Sequence, residues 1–177
     1  IYTLSVVGSV NVYKRQFYRF VVLLKTHDER THGGTSYMIR ILTDSASDIL
    51  PAEAAQLGVD VIPLNVTLED GTVIRDGVDL TPSEYYEHMA GCKKLPTTSQ
   101  PSPELFEKFY AEAAAAGDEV VGIFLSHELS GTYQCAKLAA DLANVDNVLF
   151  VDSTNVCLGE GLLVRMAAHL RLSLIHI

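Results

Sequence analysis

Apolar and polar positions alternate between two rhythms along most of the chain. Ile39–Leu42 is a short apolar run that gives way to the polar stretch Thr43-Asp44-Ser45-Ala46-Ser47-Asp48. Runs of that length bounded by turn residues predict strands. Pro51, Glu53 and Gly58 then mark a helix: proline suits its first position, an acid its first turn, glycine its stop. Val59–Val66 reads as a second strand, with Pro63 pointing to an edge or an early end of pairing. Asp70-Gly71 between Val66–Leu68 and Thr72–Ile74 predicts a small hairpin. Thr81-Pro82-Ser83-Glu84 is a capping box that opens a helix ending at Gly91. Ser102 and Pro103 begin another, which puts Leu105, Phe106, Phe109, Tyr110 and Ala113 on one face and stops at Gly117. Val120–Leu125 is apolar enough for a strand buried on both faces. Cys135, Leu138, Ala139 and Leu142 then recur at helical spacing, and Ser130 suits the N-cap. Val148–Val151 predicts the last strand. Gly159-Glu160-Gly161 reads as the entrance to an apolar helix, Leu162–Leu170.

Strands alternating with helices of about ten residues imply βαβ units. The expected fold class is therefore α/β: a mostly parallel sheet flanked by helices, with a small β-hairpin.

Composition narrows the function classes. The chain has 177 residues, 48% of them hydrophobic, which suffices for one domain with a proper core. The net charge of −9 argues against a nucleic-acid partner. Three well-separated cysteines, Cys92, Cys135 and Cys157, form no CxxC pair and suit a reducing, cytoplasmic setting. No apolar run reaches the ~18 residues of a membrane span.

The charge is unevenly spread, with net +3 over residues 1–37 and net −12 over 38–177. The first 37 residues hold no sustained period, and Thr31–Ser36 reads as linker. Val12–Gln16 and the ending Leu172–Ile177 resemble translated sequencing-adapter DNA, with a basic targeting leader as the alternative for the first segment. Met38 is read as the natural start. The expected organisation is a non-native or disordered leader over 1–37, an α/β domain over 38–171 and an artefactual tail over 172–177.

Candidate chemistry gathers in three polar loops expected at the carboxyl ends of strands: Asp44–Asp48, Pro96–Ser102 and Ser126–Thr132. The last two are rich in hydroxyls and amides and contain no Lys or Arg. Such loops hold an anion with neutral donors and helix N-termini. Asp44 and Asp48 form a weak cation site with no third ligand, and turn and cap roles explain them better. Two strand ends share an Asp-Ser pair, Asp44-Ser45 and Asp152-Ser153, which turn chemistry accounts for. Gly159-x-Gly161 lacks the third glycine of a dinucleotide fingerprint. Ser126-His127 invites a nucleophile reading, but GxSxG is absent and neighbours on an extended turn point apart.

Together the segments Thr43–Ile49 (TDSASDI), Val61–Val66 (VIPLNV), Pro96–Ser102 (PTTSQPS), Leu125–Gln134 (LSHELSGTYQ) and Val151–Val164 (VDSTNVCLGEGLLV) resemble the DegV family. That resemblance implies a fatty-acid-binding protein of two α/β domains, of which this chain carries the N-terminal one. It implies a lipid-binding subunit rather than an enzyme, with fatty acid as ligand, no cofactor and no metal. Some family members present the carboxylate to a bacterial fatty acid kinase, so the kinase's catalytic subunit is an implied partner. The implied carboxylate ligands are Thr97, Thr98, Ser99, Ser126 and Ser130, with His127, Gly131 and Thr132 as additional contacts. Leu105, Phe106, Phe109 and Leu129 are candidate walls for the acyl chain; ordinary core packing competes for the first three. His127 and Cys157 stand where many members have serine. Burying an acyl chain contributes ~0.8 kcal/mol per CH₂. A helix N-terminus adds only ~0.3–1 kcal/mol to an anion, so the tail would supply affinity and the loops register. A serine-nucleophile hydrolase or transferase, and a phosphate- or nucleotide-binding α/β domain, are the alternatives.

Overall fold

The computed structural model describes residues 38–175. The reading of 1–37 as a leader lies outside them, as do the last two residues of the tail read over 172–177, whose first four continue the last helix.

Four strands form a parallel sheet: β1 (Ile39–Asp44), β2 (Val59–Ile62), β6 (Glu119–Phe124) and β7 (Val148–Asp152), in the order β2-β1-β6-β7. Parallel pairing requires crossovers, and helices supply them. Helix α1 (Pro51–Leu57) joins β1 to β2, α3 (Pro103–Ala116) leads into β6, and α4 (Thr132–Leu142) joins β6 to β7. Helix α5 (Leu158–Ile175) follows β7. The α/β class expected from the alternating pattern is what the chain adopts. Strands β1 and β6 are central and buried; β7 forms one edge, with Val148–Val151 half-buried.

Each face of the sheet has its own core. On one, Ile41, Val121 and Ile123 pack with Ala54 of α1 and Val164, Ala167 and Ala168 of α5. On the other, Leu42, Val120 and Phe124 pack with Phe106, Tyr110 and Ala113 of α3 and Cys135, Ala136 and Ala139 of α4. Alternate strand residues face opposite sides, so the continuous apolar run of β6 feeds both. The Phe106 ring meets Phe124 edge-on at 5.6 Å. Helix α5 is tied to α1 by Arg165, which donates to both Glu53 carboxylate oxygens at 2.6 and 2.8 Å.

A second, antiparallel sheet stands beside the first. It comprises β3 (Asn65–Thr67), β4 (Val73–Arg75) and β5 (Thr97–Ser99), ordered β4-β3-β5. The Asp70-Gly71 hairpin is present, with Val66 opposite Ile74 and Gly71 at φ 86°. Two expectations need correction. Val59–Val66 is not one strand: pairing stops at Ile62, and Asn65 starts in the other sheet. Pro63 has no N–H to extend the ladder, and Leu64 instead donates its N–H to Ser45 Oγ at 3.0 Å. Thr97–Ser99 is also not a free loop, since it pairs with β3, Thr98 opposite Val66.

Helix α2 (Pro82–Gly91) opens on the expected capping box, with Thr81 Oγ1 accepting from Glu84 N and Thr81 N donating to Glu84 Oε2. It buries no side chain, so local chemistry has to hold it. Thr81→Ala should speed amide exchange in its first turn roughly fivefold, matching a cap worth ~1 kcal/mol. Hydrogen-exchange mass spectrometry checks this; unchanged exchange there would contradict it.

Candidate functional site

The strand order reverses between β1 and β6, because β1 connects outward to β2 on one side and the later strands build on the other. In open α/β sheets the crevice at such a switch point, outside the carboxyl ends, receives ligands. Asp44 ends β1 there. Its Oδ1 accepts from Ala46 N at 2.9 Å and its Oδ2 from Leu125 N at 3.1 Å. One carboxylate therefore shapes its own turn and pins the start of the Ser126–Thr132 loop. Burial raises Asp44 to about 6 against these two backbone donors.

Asp152 repeats the device at the end of β7. Its Oδ1 accepts from Thr154 N at 3.0 Å and His127 N at 3.3 Å, while Oδ2 meets His127 Nδ1. Each Asp-Ser pair thus does more than make a turn: both carboxylates bridge to the loop after β6. Ser126 donates its N–H to Asn155 O, which ties the same loop to the segment after β7.

Ser126 is buried, with Oγ accepting from Glu128 N at 3.3 Å. Ser130 is half-buried; its Oγ accepts from Thr132 N at 3.3 Å and shares a hydrogen bond with Thr132 Oγ1 at 3.0 Å. Gly131 occupies the N-cap position of α4, one residue later than the pattern predicted. Ser130 still satisfies a first-turn amide from outside. Thr132 is fully buried, and His127 is half-exposed beside Tyr133, ring centroids 6.4 Å apart.

The other hydroxyl segment arrives through β5. Thr97, Thr98 and Ser99 are all exposed. Gln100 follows, and its side chain lies against Gly131: a Cβ there would come within 2.0 Å of Gln100 Oε1. Cys135 Sγ approaches Pro101 O at 3.5 Å. The Pro96–Ser102 and Ser126–Thr132 segments therefore touch. Ser102 precedes α3 in extended conformation, but its hydroxyl goes to the Glu104 carboxylate rather than to a backbone N–H, so it does not cap as expected.

The four apolar candidates separate. Phe106 is fully buried against the sheet and Phe109 is half-buried on the same cluster. Leu105 and Leu129 remain 42% and 65% exposed, beside the two hydroxyl segments in the chain.

Glycines 159 and 161 serve packing. A Cβ on Gly161 would lie 2.4 Å from the Ser47 carbonyl oxygen, and one on Gly159 would lie 2.7 Å from Asn155 Oδ1. Helix α5 begins at Leu158, earlier than the expected Leu162, with both glycines inside its first turn.

Between them sits a residue that the pattern did not single out. Glu160 is fully buried beneath the end of β1, where its Oε1 accepts from Thr43 Oγ1 at 3.1 Å. Its Oε2 meets no hydrogen-bond partner. Burial first, and the Asp44 charge second, push it up to about 9. Among the described residues no group of three or more His, Cys, Asp or Glu side chains is placed to hold a metal.

A DegV domain-containing protein of Deinococcus radiodurans is 44% identical over 132 residues, 75% of this chain and 46% of that protein. A solved structure described as fatty acid binding of a DegV family protein from Thermus thermophilus is 40% identical. It superposes with a TM-score of 0.69 over 77% of this chain and 48% of that one. A stearic-acid-binding protein from Eubacterium ventriosum gives 0.72 at 30% identity, covering 77% of this chain and 48% of the other. The chain spans about half the length of the relatives it matches. The model described as "Uncharacterised protein, DegV family" matches residues 38–173, and the chain belongs to the DegV family.

Proposed function

We propose that this chain binds a long-chain fatty acid, its carboxylate held by neutral hydroxyl and amide donors of the two touching segments. The observation that carries the reading is the seating of Gln100 on Gly131, which brings β5 and the loop after β6 to one mouth. Thr97, Thr98 and Ser99 would reach the headgroup from one side, and Ser126 and Ser130 from the other. His127, Gly131 and Thr132 complete that loop. Leu105 and Leu129 offer exposed apolar surface for the acyl chain, with Phe109 behind; Phe106 would support the wall from the core. The two solved relatives at 40% and 30% identity are described as fatty-acid-binding, which supports the ligand class.

The chain acts as a carrier rather than an enzyme, and offers the bound acid to a fatty acid kinase subunit in the bacterial cytoplasm. The family resemblance supports the kinase. Three free cysteines suit a reducing compartment, and no helix among the described residues is long and apolar enough to cross a membrane.

A serine nucleophile fits the geometry poorly. His127 Nδ1 meets Asp152, as a general base's would, but among the described residues no hydrogen bond joins its ring to a serine: Ser126 Oγ accepts from Glu128 N and Ser130 Oγ meets Thr132 Oγ1. A phosphate cradle at Gly159-x-Gly161 fits no better, since both glycines are closed over by neighbouring atoms.

Native mass spectrometry of the 177-residue chain purified from bacteria tests the reading. The expected spectrum carries an added mass of one fatty acid per chain that organic extraction removes. An apo mass that stays apo after incubation with oleate would overturn it.

A further inference from the structure

His127 stands at the proposed mouth in an unusual state of support. Its Nδ1 faces the Asp152 carboxylate, whose side chain is 11% exposed, while the imidazole itself is 48% exposed. The same carboxylate also accepts from the His127 backbone N–H, so loop and ring are held together. No protein partner at Nε2, on the opposite edge of the ring, is seen among the described residues.

The consequence follows from proton counting. An imidazole that gives its Nδ1–H to a carboxylate has no proton on Nε2 while it is neutral. There it can accept a hydrogen bond but not donate one. A ligand carboxylate has only lone pairs to offer. Contact between the two needs one proton from solvent, which forms the bridge between Nε2 and the ligand oxygen. The count is the same whether that proton is assigned to the ring or to the acid.

We propose that His127, held by Asp152, makes capture of an acidic headgroup proton-coupled: one proton is taken up from solvent for each carboxylate bound. This rests on the fatty-acid reading above. Asp152 is a positioning residue, acting only through the ring. The groups facing His127 are consistent with the role. Asp152 comes from the end of β7, and Tyr133 from the first turn of α4. Lys137 lies beyond, 5.7 Å over the Tyr133 ring, and Glu128 is next in the loop. Burial and the Asp152 charge both raise the Tyr133 phenol, so it stays neutral and does not compete for the proton. The hydroxyls of Ser126, Ser130 and Thr132 donate without exchanging protons, so of these described groups it is His127 that confers the coupling.

The test uses the 177-residue chain with oleate as probe. Nitrogen-15 NMR of the histidine side chains should show His127 as the Nδ1–H tautomer in the ligand-free protein above neutral pH. Adding oleate should protonate both nitrogens. Between pH 7 and 8 the oleate Kd should rise up to about tenfold, the linkage of one proton. His127→Ser should hold the change within about twofold, and Asp152→Asn should weaken the tautomer preference in the ligand-free spectrum. Oleate bound with His127 still neutral, or the same pH slope in His127→Ser, would overturn the proposal while leaving lipid binding intact. Failure of the wild-type chain to retain oleate at any pH would overturn both.

Discussion

Glu160→Gln should flatten the pH dependence of stability above pH 7. A carboxyl raised by folding contributes nothing adverse below its unfolded value, where it is protonated in both states. Between the unfolded and folded values the native state binds the extra proton, and stability falls as pH rises. For Glu160 that window runs from the ordinary 4.5 to about 9. The slope approaches ~1.4 kcal/mol per pH unit, and roughly several kcal/mol are lost by its upper end. Asp44, raised from 3.8 to about 6, adds the same sign of effect only in the lower part of that range. Between pH 7 and 8 the slope is therefore chiefly Glu160's, before the thiols of Cys92, Cys135 and Cys157, each raised first by burial, add to it towards pH 9. Of the two, Asp44 is the ionised partner, because two backbone N–H groups serve its oxygens. Glu160 has one hydroxyl donor and an unpartnered Oε2. An amide keeps the shape without the titration. Urea denaturation at pH 6, 7, 8 and 9 reads the difference. Parallel pH curves for the two proteins would contradict it.

Phe106→Ala should cost about 3–5 kcal/mol, as expected when a buried aromatic leaves a cavity that close-packed neighbours cannot fill. The ring is fully buried, lies edge-on to Phe124 at 5.6 Å and stacks near Tyr110 at 6.2 Å. Its loss loosens α3 from β6, and α3 follows directly on the Pro96–Ser102 segment. Leu105→Ala, one residue away but 42% exposed, should cost less than ~1 kcal/mol. Denaturation midpoints of the two variants compare them. Equal losses would mean that the helix face is assigned wrongly.

The contrast between those neighbours shows what was legible beforehand. The 3.6-residue period put both on one apolar face, and only packing decides which of them lies at its centre. Helix boundaries at Pro51, Gly58, Thr81 and Gly117 follow from local backbone chemistry, and the structure keeps them. Strand β5 carried no signal, because Thr97-Thr98-Ser99 is polar on both faces and lies between prolines. Its pairing with β3 is a tertiary event. The break at Pro63 was visible as a proline, but not as a change of sheet.

At the mouth, the hydroxyl segments were legible as composition, whereas their contact through Gln100 and Gly131 was not. Turn propensity explained one oxygen of Asp44 and of Asp152. The second oxygen of each reaches a residue distant in sequence, beyond any local rule. Glu160 was the least visible. An acid in a first helical turn ordinarily sits at the surface beside the helix dipole, and nothing nearby announces its burial.

Strand β7 carries a liability of its own. Val148, Leu149, Phe150 and Val151 include no charge, proline or bulge, and among the described residues they pair only with β6. The open ladder side is a template for another chain's backbone, which soluble sheets usually guard with lysine or proline. Concentrated preparations of this chain are therefore exposed to strand-by-strand self-association along that border.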